Sequence, residues 1–136
     1  MTYQQQDLVE NMVSGWTRVE MLIALYERAI AAVESAAASS ESGELADEIN
    51  FRFESRRTIF GLFTGLDTEN CEIANNIGRL LTFIMACIEE RKYDDAIRFL
   101  KPLHNSFTEI KNIAVKLEKQ GKIPPIQSAA TFEQIA

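Results

Sequence analysis

Thr17-Arg18-Val19-Glu20-Met21-Leu22-Ile23-Ala24-Leu25-Tyr26-Glu27-Arg28-Ala29-Ile30 opens the first long helical pattern of the chain and sets the reading of the rest. Threonine followed three residues later by glutamate has the form of a capping box, so the stretch predicts a helix starting at Thr17, with Trp16 stapled onto Met21. Leu22, Leu25, Ala29 and Val33 then recur at spacings of three and four, and Met21, Tyr26 and Ile30 widen the stripe. A face that broad suits the interior of a bundle better than a two-stranded seam.

Three further patterns follow. Ser39-Ser40-Glu41-Ser42-Gly43 reads as a polar connection. Beyond it Leu45, Ile49, Phe53, Arg56, Phe60 and Phe63 repeat at helical spacing, flanked by Phe51, Ile59 and Leu62, with Gly65 placed to end the helix. So many phenylalanines either fill a thick core, the reading favoured here, or line a groove. The third pattern, after Asp67 or Thr68 as cap, has Ile73, Ile77, Leu80, Leu81, Ile84 and Ile88 on its apolar face, with Phe83 and Met85 beside them. Gly78 lies inside it, where glycine costs roughly 1 kcal/mol against alanine, which points to close approach of another segment or to a neutral surface site.

After the charged turn Glu89 to Tyr93, Asp94 and Asp95 favour the start of a fourth helix. Leu100, Leu103, Phe107, Ile110, Ala114 and Leu117 keep heptad spacing, with Ile97 and Ile113 alongside, and read as a bundle-facing seam. Pro102 predicts a kink or irregularity near Arg98 to Pro102, and Gly121 with Pro124-Pro125 predicts the stop. Four helical patterns on short links predict an all-α, antiparallel up-and-down four-helix bundle over residues 16–121. Residues 1–15 form a partly helical or mobile segment carrying Leu8, Val9, Met12 and Val13, and residues 122–136 a tail expected to be mobile. Apolar residues at both ends raise the expectation that either end folds over a groove.

Composition narrows the function. Hydrophobic residues at 46% and charged residues at 25% are those of a folded domain, and 136 residues suffice for one. Net charge is −6, which disfavours nucleic acid and anionic membranes as partners. Two cysteines and no leader pattern predict a cytoplasmic protein with reduced thiols; on one helix Cys71 and Cys87 would stand about 24 Å apart, too far to bond. No apolar run reaches the roughly 20 residues of a membrane span. His104 is the sole histidine, expected at a helix boundary without a role, and no Glu-x-x-His pair or glycine-rich phosphate loop is present. No catalytic residue, metal site or cofactor is indicated; the chain reads as a binding protein.

Two segments carry a resemblance. Leu22-Ile23-Ala24-Leu25-Tyr26-Glu27-Arg28-Ala29-Ile30 resembles the first long helix of the FliS family, the flagellin-specific chaperones of flagellar type III export. Leu66-Asp67, followed by Glu72-Ile73-Ala74-Asn75-Asn76-Ile77-Gly78-Arg79-Leu80, resembles that family's second motif. The chain departs from it with Thr17-Arg18 for the usual Ser-Pro, Asn70-Cys71 for paired glycines, Leu81 for an aromatic, and Leu8 where a tyrosine is usual.

The resemblance implies a cytoplasmic chaperone, not an enzyme, that binds the disordered C-terminal segment of flagellin and passes it to the export gate. It implies a client surface at Ile73, Asn76, Ile77 and Leu80, with Asn76 bonding client backbone and Tyr26 either packing or binding. The protein is expected as a monomer or weak homodimer. Two alternatives stay open: a FliS-like bundle serving another exported client, and a structural subunit that oligomerises through an apolar strip.

Overall fold

A computed structural model of the chain describes residues 14–66 and 71–121. Among the described residues there are four helices and no strand: α1 (Ser14–Glu41), α2 (Leu45–Thr64), α3 (Glu72–Glu89) and α4 (Tyr93–Lys119). The all-α bundle expected from the four patterns is the fold. The N-terminal segment, the tail and the candidate caps Asp67 and Thr68 lie outside the described residues.

The chain divides into two compact units. The larger, Ala24–Asn105, holds pieces of all four helices and the core. Of the smaller, the described parts are the start of α1 and the second half of α4, where Lys111 Nζ lies 3.5 Å from Glu20 Oε1. Ile110 and Ile113, assigned to the seam from their spacing, are exposed there, whereas Phe107, Ala114 and Leu117 are half-buried. Within this unit, two described helical segments cannot enclose a stripe on every side.

The helix ends show which local signals governed. α1 begins at Ser14, so Thr17 is inside the helix and is not its cap. Once a helix is nucleated, adding a turn costs little, and Gly15 is too weak a breaker to stop it. α1 also runs on to Glu41, shortening the expected connection to Ser42–Glu44. It closes with Gly43 N–H donating to Ser40 O and Glu44 N–H to Ser39 O at 2.9 Å, with Gly43 at φ +74°. α3 ends in the same motif without a glycine: Arg91 N–H donates to Ile88 O and Lys92 N–H to Cys87 O, with Arg91 at φ +61°. α2 stops at Gly65 and α4 just before Gly121, as their glycines predict. Helix α4 is continuous through Pro102.

In the larger unit α1 buries Tyr26, Ala29, Ala32, Val33 and Ala36, with Leu25 half-buried; in the smaller unit Leu22 of the same stripe is half-buried and Met21 exposed. α3 buries Gly78, Leu81, Ile84, Cys87 and Ile88; α4 contributes Tyr93, Ala96 and Leu100.

Helix α2 overturns the expectation drawn from its apolar repeat. Its packed face is Glu48, Ser55, Thr58, Ile59 and Leu62, whereas Leu45, Ile49, Phe53 and Phe60 are between 51% and 64% exposed. Polar residues can occupy that face because each has a hydrogen-bond partner, Ser55 and Thr58 in their own helix and Glu48 in the α3–α4 turn. Ser55 Oγ donates to Arg52 O and Thr58 Oγ1 to Glu54 O, both at 2.8 Å. Glu48 is held by Arg91, whose Nε and Nη2 donate to its two oxygens at 2.7 and 2.8 Å, and by the Tyr93 hydroxyl. Arg91 Nη2 also donates to Ser40 Oγ at 2.9 Å, so one arginine ties the end of α1 and the start of α2 to the α3–α4 turn.

Candidate functional site

The first turn of α3 decides where the candidate residues stand. Cys71, extended at φ −138°, precedes the helix without a side-chain cap; its carbonyl accepts Asn75 N–H at 3.0 Å, and Glu72 places a carboxylate at the positive end of the dipole. From there the helix carries two adjacent apolar faces. One, running through Leu81, Ile84 and Ile88, is buried. The other runs Ile73, Asn76, Leu80 and Phe83, at i, i+3, i+7 and i+10, over about 15 Å at 1.5 Å per residue.

None of that second set is buried. Ile73 is 70% exposed, Asn76 and Phe83 are exposed, and Leu80 is half-buried. Ile77, half-buried, falls on the arc of Ile84 and Ile88 beside the ridge. The ridge is anchored at its far end by Phe83, whose ring meets Phe99 of α4 edge-to-face with centroids 5.2 Å apart. Four of the five residues expected at a client surface thus share one surface of α3. The fifth does not: Tyr26 of α1 is only 1% exposed, and its burial pushes the phenol pKa up to about 12. It is a core residue here. Phe83 and Phe99 extend the ridge beyond the residues singled out from the sequence; the i+10 spacing of Phe83 from Ile73 was the available signal.

The ridge offers a surface for binding. Its one polar side chain, Asn76, offers an amide that both donates and accepts. His104 sits within α4, not at a helix boundary, with Nε2 3.0 Å from Glu27 Oε1 and Nδ1 3.4 Å from Asn105 Oδ1. Burial first, and then the charge of Asp95, raise the Cys87 thiol, which disfavours its thiolate; Cys71 is exposed, and neither is in a disulfide. Among the described residues no group of three metal-ligating side chains is brought together, and no helix is long and apolar enough to cross a membrane.

Comparison with known proteins gives one family. The family model described as "Flagellar protein FliS" matches residues 1–114. No curated protein and no solved structure gave a significant match.

Proposed function

On the premise that the chain belongs to the FliS family of flagellar chaperones, we propose that its client is the disordered C-terminal segment of flagellin. The chaperone holds that segment in the cytoplasm against premature polymerisation and delivers it to the export gate. The observation that carries this reading is the unburied ridge Ile73, Asn76, Leu80 and Phe83, with Ile77 at its edge, on a helix whose adjacent face is core.

A segment unfolded on its own gains about 25 cal/mol for each Å² of apolar surface it covers there, offset by the cost of ordering its backbone. Binding is therefore extensive yet releasable, as a delivery step requires. The Asn76 amide holds the register of the client backbone without adding charge to the surface.

Calorimetric titration of the full chain with the C-terminal segment of flagellin from the same organism tests the proposal. Saturable one-to-one binding with a negative heat-capacity change is expected, weakened by Asn76→Ala and abolished by Ile77→Asp. Ile77 is half-buried, so Ile73→Asp, at a position 70% exposed, serves as the variant expected to leave folding intact. No binding by the folded protein would reject flagellin as client and favour another exported protein.

A further inference from the structure

We propose that the flank of α2 bearing Phe53 and Phe60 is a second docking surface, separate from the α3 ridge, and that its partner is an acidic amphipathic helix of another protein. Because α2 packs through Glu48, Ser55, Thr58, Ile59 and Leu62, its strongest apolar stripe is left outside the core. Leu45, Ile49, Phe53 and Phe60 follow spacings of four, four and seven, a single stripe about 22 Å long. An amphipathic helix of about 15 residues has that length.

At the Phe53–Phe60 end the surface is shaped. Phe53, Arg56, Arg57 and Phe60, with Met85 of α3, line a cavity of about 290 Å³, large enough to seat anchoring side chains of a partner. Met85 is the flexible wall. Charge selects the partner. On a chain of net charge −6, four arginines here share two carboxylates: Arg28 and Arg57 approach Glu54 at 2.7 and 2.9 Å, and Arg52 and Arg56 approach Glu89 at 3.7 and 2.8 Å. The cluster carries +2 locally, and no acidic residue lines the cavity. Each guanidinium has five N–H donors and these contacts use only some of them, which leaves donors for carboxylates on the flank of an incoming helix.

The two surfaces are distinct. Met85 lies two residues beyond Phe83, about 200° around α3, so a partner on the α2 flank and a client on the α3 ridge meet opposite sides of that helix. The proposal stands independently of which client the ridge takes.

The test uses the full chain and two synthetic amphipathic peptides of about 15 residues, with leucine anchors at helical spacing and either glutamate or lysine on the polar flanks. The glutamate peptide is expected to bind saturably, more weakly as salt rises, and the lysine peptide at least about tenfold less tightly. Phe60→Ser is expected to weaken the glutamate peptide about tenfold without lowering the thermal midpoint, and Arg56→Glu with Arg57→Glu to reverse the preference between peptides. Equal affinity for both peptides, or indifference to Phe60→Ser, would overturn the proposal. So would competition by a segment bound at the α3 ridge, which would make the two surfaces one site. Self-association lost on Phe60→Ser would overturn it in favour of a second copy of the chain as occupant.

Discussion

Ile73→Ala and Ile84→Ala, eleven residues apart on one helix, should fail in opposite ways. Ile84 is fully buried, so its truncation removes packed methyl groups and leaves a cavity, at a cost of about 2–5 kcal/mol in folding stability. Ile73 is 70% exposed, so its truncation should shift stability by no more than about 0.5 kcal/mol. In client binding the order inverts. Burying a whole isoleucine side chain contributes about 1.5–3 kcal/mol, and the 70% still exposed leaves about 1–2 kcal/mol of that to be gained when a segment covers it. Ile73→Ala should therefore weaken client binding by roughly 6- to 35-fold. Urea unfolding gives the first pair of numbers and calorimetric titration at constant temperature the second. An Ile73→Ala protein that binds as tightly as the parent would refute assignment of the ridge to the client, and a large loss of stability in it would place Ile73 in the core.

Three predictions concern the frame that holds the ridge. Gly43→Ala meets no atom within 4 Å but must hold φ +74°, so it should cost about 1 kcal/mol in thermal unfolding through backbone strain alone. Hydrogen bonds from Arg91, then from Tyr93, hold the Glu48 carboxyl below the ordinary glutamate range. The stability this lends is present above the unfolded glutamate pKa and lost as pH falls through the folded value. Glu48→Gln should thus lower the midpoint at neutral pH and flatten the acid limb; an unchanged acid limb would deny Glu48 that part. Tyr26 has the opposite sign: its pKa rises from 10.0 to about 12, so its contribution is intact below pH 10 and lost between pH 10 and 12. Tyr26→Phe should flatten the alkaline unfolding profile over that window, and an identical profile would contradict burial of the phenol.

Helices show in sequence through spacing, and four were legible that way, with glycines marking where α2 and α4 stop. Spacing does not say which of two neighbouring faces is covered. On α3, Ile73 and Ile84, eleven residues apart, point within about 20° of each other around the helix, and only tertiary packing along its length makes one ridge and the other core. On α2 the apolar repeat pointed to the wrong face, because Ser55 and Thr58 return their hydroxyl protons to their own backbone and Glu48 is neutralised from forty-three residues away by Arg91. No local pattern carries that last fact. The end of α3 was legible as the charged turn from Glu89, but its form was not: a left-handed residue there is ordinarily glycine, and Arg91 takes the position while its side chain bonds Glu48 and Ser40. The capping box at Thr17 misled in the other direction, a local signal absorbed into a helix that begins three residues earlier, at Ser14.

The most direct test of the central claim uses the exposed thiol the chain already carries beside the ridge. Cys71 stands two residues before Ile73, and Cys87 is buried, so a thiol-reactive photo-crosslinker attaches selectively at Cys71. Irradiation of the labelled protein with full-length flagellin, followed by mass spectrometry of the joined peptides, should place the crosslinks in the C-terminal segment of flagellin and lose them with Ile73→Asp. Binding that persists while the crosslinks fall elsewhere in flagellin, or fail to form at all, would contradict a client seated on α3.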